Sequence, residues 1–186
     1  MNPPVEAFVE AIKTSKHEHY IILPNNKNIV MAAVQAKKIL GDIIEVLPTV
    51  NVPQGLAALL AFKPEATLLE NMDSMTEQLG KVKSVAITTA VRDSIQEGVR
   101  IKAGMFLGVI EGKVITAANT LKAVLLETGK NLLTTDNELV TLWYGAEVAQ
   151  AEAQALAEEL IEAFPGMEVQ TYFGGQPLYH FIVSVE

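Results

Sequence analysis

One pattern near the start of the chain constrains its fold more than any other: two short apolar segments are each followed by a segment of helical character. Residues 20–23 (YIIL) predict a buried strand, and residues 29–40 predict a helix that begins after an Asn-rich loop and ends at Gly41. Residues 42–47 (DIIEVL) predict a second strand, and Pro53 opens a second helix (PQGLAALLAF). This β-α-β-α order predicts parallel strands joined by helical crossovers.

The rest of the chain alternates helices with strands of a more antiparallel character. Apolar spacing and turn signals predict helices at 4–14, 68–79, 117–130 and 148–164, strands at 82–91, 139–144, 168–173 and 178–185, a hairpin of 105–110 with 113–116, and a polar loop at 92–104. The predicted fold class is therefore α/β, with a parallel βαβα portion and a more antiparallel strand-helix-hairpin portion. We expect a single domain over 1–186, or two lobes of about 1–64 and about 65–186.

Charge and composition exclude several classes of function. The 186-residue chain has a formal net charge of -8 and only 14 scattered Lys and Arg residues, whereas nucleic-acid partners require clustered positive charge. It contains no cysteine, which excludes a disulfide framework, a thiolate zinc site and a cysteine nucleophile. No apolar run reaches the roughly 18–20 residues of a spanning helix, and the first residues lack a signal-peptide pattern. We therefore predict a cytoplasmic protein that does not bind nucleic acid.

The tripeptide Gly174-Gly175-Gln176 raises the question of hydrolysis, because peptide-chain release factors use Gly-Gly-Gln to hydrolyse peptidyl-tRNA. Apolar residues alternate with others over 178–185, as in a half-buried strand. Two glycines followed by Gln and Pro177 between two strands are typical of a hairpin turn. The acidic composition and this context favour a structural turn over a hydrolytic loop.

The loop PNNKN at 24–28 is the first candidate binding site. It lies between a predicted parallel strand and a helix, where ligands of open α/β sheets bind and where helix N-termini attract anions. The side chains that could hold a phosphate, a carboxylate or an acidic partner residue are Asn25, Asn26, Lys27 and Asn28. The alternative is a well-capped βα loop without a ligand. Thr49 ends the neighbouring strand, so we expect it at the same rim.

Four other polar residues are candidates for chemistry. Arg92 follows a predicted strand and could clamp a carboxylate with two hydrogen bonds, although an Arg-Asp pair that stabilises the loop is the alternative. His17 and His19 could share a metal, but no third ligand is close in sequence, and a solvated linker is the preferred interpretation. His180 is interpreted as a packed or partly exposed strand residue rather than a general base. Since the nucleophile-elbow, phosphate-loop, dinucleotide and zincin motifs are all absent, we predict no catalytic residue and no metal site.

Four segments carry a resemblance to a known family: ILPNNKNIVMAA (22–33), EVLPTVNVPQGLAALLAF (45–62), AITTAVRDS (86–94) and YFGGQPLYHFIVSVE (172–186). Together, and in this order, they resemble the C-terminal domain of the catalytic protein of bacterial fatty acid kinases, the FakA/YloV family. Full-length members of that family carry an N-terminal dihydroxyacetone-kinase-like (DhaL) domain. The order of strands and helices also resembles, more faintly, the DegV-type fold.

The resemblance implies that the chain is one part of a longer enzyme. That enzyme phosphorylates a fatty acid held by a separate DegV-type binding protein and so supplies phospholipid synthesis. The ATP site, with its Mg²⁺, would lie in the N-terminal domain, and cysteine and histidine metal ligands would lie in a middle domain, so this chain itself would hold no cofactor. The implied function is a non-catalytic docking domain that engages the DegV-type protein, and a homodimer is left open.

The residues expected to face this partner are Asn25, Asn26, Lys27, Asn28, Thr49, Arg92, Gly174, Gly175 and Gln176. Two other functions remain open. One is a lipid or small-carboxylate binding module of DegV type, in which apolar segments line a tunnel rather than a core. In DegV-type proteins a loop of Thr-Asp-Ser type after the first strand helps to hold the fatty-acid carboxylate, and Pro24-Asn25-Asn26 replaces it here. The other is an autonomous phosphatase or kinase.

Overall fold

The computed structural model describes residues 2–96, 99–134 and 137–186, which form two compact units, Met1–Val82 and Lys83–Glu186. The elements of the first unit are α1 (Val5–Thr14), β1 (Tyr20–Ile22), α2 (Lys27–Leu40), a 3-10 turn (Gly41–Ile43), β2 (Ile44–Val46), α3 (Val52–Leu60) and α4 (Leu68–Gln78). Helix α4 was predicted to belong to the second lobe, but it packs against α3 and therefore lies in the first unit.

The first unit contains the predicted parallel β-α-β arrangement. Strands β1 and β2 pair in parallel, with Tyr20 opposite Ile44, and α2 joins them. The Asn26 side chain caps α2 by accepting a hydrogen bond of 2.9 Å from the Asn28 amide, and Gly41 ends the helix at a positive φ of 72°. The parallel pairing and both helix-end signals are thus confirmed.

Helix α4 begins with a reciprocal capping box that makes the stability of the fold depend on pH. Hydrogen bonds from the Thr67 side chain and then from the Thr67 backbone lower the pKa of the Glu70 carboxyl below its ordinary value of 4.5. Because the folded pKa lies below the unfolded one, the charged Glu70 stabilises the fold above about pH 4.5, and this contribution is lost as the pH falls through the folded pKa.

We therefore expect the wild-type chain to exceed Glu70→Gln in stability at pH 7 and this difference to shrink below about pH 4.5. Urea unfolding of both proteins at a series of pH values measures it. Thr67→Ala should raise the pKa of Glu70 towards its ordinary value in an NMR titration. A difference between wild type and Glu70→Gln that stays constant with pH would contradict the prediction.

The second unit is built on a six-stranded sheet. Its elements are β3 (Lys83–Thr89), β4 (Ser94–Gln96), β5 (Val99–Ile101), β6 (Phe106–Ile110), β7 (Lys113–Ala118), α5 (Leu121–Leu132), β8 (Leu139–Tyr144), α6 (Gln150–Ala163), β9 (Glu168–Phe173) and β10 (Tyr179–Val185). The strand order is β7-β6-β3-β10-β8-β9, and only the β8–β9 pair is parallel. The mixed α/β architecture with a largely antiparallel second portion is confirmed.

The second unit differs from the sequence-based prediction in its strand pairing and at the start of α5, because residues 117–118, predicted to begin that helix, end strand β7. The last two strands do not form a hairpin, because β8 lies between β9 and β10 and pairs with both. Strands β8 and β9, joined by α6, form a second parallel β-α-β unit instead. The predicted polar loop at 92–104 contains the antiparallel pair β4 and β5, while the glycine at position 98 lies outside the described residues.

The core of the second unit lies between this sheet and helices α5 and α6. Alternate residues of the central strand β10, namely Phe181, Val183 and Val185, are buried in it, as the period-two pattern predicts. The hairpin of β6 and β7 is also confirmed, and its two turn residues, Glu111 and Gly112, both have positive φ, which fits a two-residue turn. Among the described residues, no helix has the length and apolar character to cross a membrane.

Candidate functional site

The loop after β1 meets the end of β2 through a buried polar contact. The Asn25 amide donates a hydrogen bond of 2.9 Å to Thr49 Oγ1, and Thr49 is completely buried. Asn25 adopts a left-handed backbone with φ 54°, which Asn tolerates better than most residues. Its Oδ1 is buried without a hydrogen-bond partner and lies directly against the α-carbon of Gly55, where a Cβ would fall 2.8 Å from Asn25 Cγ.

The hydrogen bonds of the strand-end loop leave few backbone donors for a ligand. The backbone N–H of Asn25 donates to Thr49 and that of Asn28 donates to Asn26, so both groups are already used within the protein. Lys27 is also engaged in an interaction within the protein. Since Thr49 has no accessible surface, it supports the loop rather than touching a partner. The loop has the features of a well-built βα connection.

We expect Thr49→Val to destabilise the chain by about 1–3 kcal/mol, because the Asn25 N–H would be left without an acceptor in a site of the same shape. Thr49→Ser is the matched control, since it keeps the hydroxyl and should therefore lose less stability than Thr49→Val. Urea unfolding of the three proteins measures the difference. Equal stability of the Val and Ser variants would show that the Asn25–Thr49 bond contributes nothing.

The Gly-Gly-Gln segment is anchored to the end of β8. The amides of Gly174 and Gly175 both donate to Tyr144 O, at 2.9 and 3.3 Å. The Gln176 side-chain amide donates to Trp143 O at 2.8 Å, and the backbone carbonyl of Gln176 accepts from the Ala146 N–H at 3.1 Å. The glutamine amide is thus directed at the protein's own backbone, so the segment is a crossover that carries the chain over the end of β8.

Beyond this crossover, Leu178 has an unusual combination of properties. Its φ is 70°, a region that bulky side chains rarely adopt, and its side chain is 80% exposed. A hydrogen bond of 2.8 Å from Thr88 Oγ1 to the Leu178 carbonyl holds this conformation. A strained residue that presents an apolar side chain to solvent is typical of a functional surface.

Phe173 and Tyr179 flank the same segment and are also exposed, Phe173 at 67%. We call Phe173, Leu178 and Tyr179 the crossover surface. The glycines and Gln176 were predicted from the sequence as site residues, whereas these three were missed. A signal was present in the letters FGGQPLY, where apolar and aromatic residues flank a turn that would ordinarily be followed by polar ones.

The remaining candidates are dispersed. Arg92 is exposed in the bend after β3, and the neighbouring Asp93 carboxylate accepts from the Ala103 amide at 2.8 Å, so it stabilises the loop. His180 is half-buried, with its Nε2 2.8 Å from Thr89 Oγ1 and its ring edge-on to Phe106. The ring of His17 packs edge-on to Tyr20. In the part of the chain that the structure describes, no three His, Asp or Glu residues form a group that could hold a metal.

Comparison with known families and relatives places these features in context. Residues 1–186 match a family model for the C-terminal region of FakA-like fatty acid kinase proteins. The chain is 39% identical over 186 residues to uncharacterized proteins of Staphylococcus aureus strains USA300 and NCTC 8325, and the match covers 100% of this chain and 34% of each of them. The chain therefore spans about a third of the length of these curated relatives.

Several solved structures share the fold. A DegV family protein from Corynebacterium glutamicum aligns with a TM-score of 0.68 and 16% identity, over 99% of this chain and 82% of that one. The Streptococcus pneumoniae fatty acid kinase B3 protein, loaded with linoleic acid, aligns with a TM-score of 0.64 and 13% identity, over 99% and 76%. The dihydroxyacetone kinase of C. freundii aligns with a TM-score of 0.67 and 14% identity, over 98% and 41%. The DegV-like architecture is thereby confirmed.

Proposed function

The chain belongs to the FakA-like C-terminal family of fatty acid kinase proteins, and on this basis we propose that it is a non-catalytic docking domain for a DegV-type fatty-acid-binding protein in the cytoplasm. In this proposal the rest of the full-length protein supplies the ATP site with its Mg²⁺ and phosphorylates the fatty acid that the partner presents. The docked complex brings the fatty-acid carboxylate to that kinase site, and the product enters phospholipid synthesis.

The observation that carries the proposal is the crossover surface, and Leu178 above all. Partner-binding residues are typically a few large apolar or aromatic side chains at the centre of an interface. Leu178 and Phe173 are large, apolar and mostly exposed, and both are held by a backbone that is hydrogen-bonded to the sheet. A surface fixed in this way loses little conformational entropy when a partner binds.

The rival function, direct binding of a lipid or small carboxylate, finds less support in the loop after β1. A carboxylate needs hydrogen-bond donors, and the backbone N–H groups of Asn25 and Asn28 already donate to Thr49 and Asn26. An acyl chain found copurified with this protein by native mass spectrometry would favour lipid binding over docking.

Isothermal titration calorimetry of the 186-residue chain against a purified, oleate-loaded DegV-type protein tests the docking proposal. We expect saturable one-to-one binding that persists when ATP and Mg²⁺ are absent, because this chain contributes contacts rather than chemistry. No detectable heat of binding at high micromolar concentrations, with the chain shown to be folded by circular dichroism, would refute it.

A further inference from the structure

A groove of about 460 Å³ in the first unit has no part in the docking proposal. Its walls are apolar and come from different elements: Ile12 of α1, Leu59 of α3, Phe62 of the following turn, and Leu68 and Met75 of α4. Leu59 and Phe62 are both exposed. Apolar grooves of a few hundred Å³ are typical places for a ligand or a partner segment to bind.

The floor of the groove is the edge of strand β1. The groove is lined by all three residues of β1, Tyr20, Ile21 and Ile22, and by His19 and Leu23 on either side of the strand. Successive side chains of a strand point to opposite faces of the sheet, so a groove on one face would touch only alternate residues. A groove that touches all three residues of β1 therefore runs along the strand's open edge and reaches both faces.

The hydrogen-bonding pattern shows which backbone groups face the groove. Ile22 lies opposite Val46, and its carbonyl accepts from the Leu47 amide at 3.0 Å, so the backbone of Ile22 points towards β2. In a parallel pair, alternate residues point to opposite edges. The N–H and C=O of Ile21 therefore point into the groove, where β1 pairs with no further strand of the described chain.

We propose that this groove receives an extended, apolar peptide segment of a partner protein, which adds to β1 as a third strand. The unpaired N–H and C=O of Ile21 would bond to its backbone, and its apolar side chains would contact the walls. Burial of β1 is incomplete without such a strand. Tyr20, Ile21 and Ile22 are only half-buried, although strands of parallel sheets are normally covered on both faces.

Two other occupants fit less well. An acyl chain matches the apolar walls, but it would cover the Ile21 N–H and C=O without offering them a hydrogen bond. A second copy of this chain would bring together two proteins that each have a net charge of -8, and the repulsion opposes pairing. The same charge favours a segment with Lys or Arg at its ends. This inference does not rest on the docking proposal, because the crossover surface belongs to the other unit.

The probe is a library of fluorescent nonapeptides with Val, Ile, Leu, Phe or Thr at alternate positions and Lys at both ends, screened on the folded 186-residue chain by anisotropy. We expect members that bind saturably. Ile21→Pro should weaken the best of them at least tenfold, because proline removes the N–H that faces the groove but spares the bonds of Ile22 to β2. Ile21→Val keeps that N–H and is the matched control.

A copy of the best peptide with N-methylated alternate amides provides a second test on the unaltered chain, should Ile21→Pro not fold. Alternate amides can be methylated at the odd or at the even positions of the peptide. We expect one of these two methylated peptides to bind at least tenfold more weakly than the unmodified one. The proposal is overturned if no library member binds, or if neither Ile21→Pro nor N-methylation weakens binding. It is equally overturned if palmitate occupies the groove instead, or if sedimentation equilibrium shows a dimer that Ile21→Pro abolishes.

Discussion

Gly145→Ala should lower the free energy of unfolding by about 1–3 kcal/mol, one of the largest effects of a single added methyl group in this chain. A Cβ at position 145 would lie well inside van der Waals contact with the Tyr179 carbonyl oxygen and 2.8 Å from that of Gln176. Both are backbone atoms, so neither can rotate away as the end of a side chain could. The crossover segment would have to move away from the end of β8.

That movement would break two hydrogen bonds, one from the Gly145 amide to His180 O at 2.8 Å and one from the Ala146 amide to Gln176 O at 3.1 Å. Gly80→Ala is the matched control, because a Cβ at position 80 meets no atom within 4 Å, and it should change stability by less than about 0.5 kcal/mol. Urea unfolding followed by tryptophan fluorescence measures both. If the two variants unfold at the same urea concentration, the crossover is not anchored at Gly145.

The end of β8 also explains why the terminal topology could not be predicted from the turn signal alone. Glycines between two strands fit a hairpin, but they fit equally well a segment that crosses the end of a third strand. The residue that distinguishes the two arrangements is Gly145, far earlier in the chain, where the absence of a side chain makes room for the crossover. A competing signal was present, since a strand, the helix α6 and a strand form the same β-α-β order as in the first unit.

Local patterns predicted local structure well. The alternation over 178–185 placed Phe181 and Val183 on the buried face, and the Asn and Gly signals placed the ends of α2, because each depends only on residues close in sequence. Burial of Thr49 was not predictable in this way. A threonine at a strand end fits either a ligand site or a core, and only its burial and its bond with Asn25, from the loop after another strand, decide between them.

The crossover surface escaped prediction for a related reason. The alternation over 178–185 makes Leu178 an ordinary first residue of a strand, and nothing in the sequence indicates that it has positive φ. That conformation depends on the hydrogen bond from Thr88, which is 90 residues away in the chain. The partner-facing roles of Asn25, Arg92 and Gln176 stay predictions, and the exposed side chain of Leu178 is a more direct candidate for a partner contact.

Leu178→Asp is expected to weaken binding of the DegV-type protein at least tenfold, which corresponds to about 1.4 kcal/mol of binding free energy. The substitution would place an unpaired charge in the proposed interface in place of an exposed apolar contact. Aspartate tolerates a left-handed backbone better than leucine does, so the fold itself should not suffer. Ile161→Asp on α6, which is 45% exposed in the same unit, is the matched control and should bind like the wild type.

Leu178→Gly separates a binding role from a structural one. Glycine adopts positive φ without strain, so the variant should keep or raise the stability of the chain, by up to about 1–2 kcal/mol. It removes the whole exposed side chain, however, and should therefore still weaken binding tenfold or more in the same calorimetric titration. A stabilised variant with unchanged affinity would mean that Leu178 does not contact the partner. A variant that gains stability but loses affinity for the partner is expected only if the Leu178 side chain lies in the docking surface.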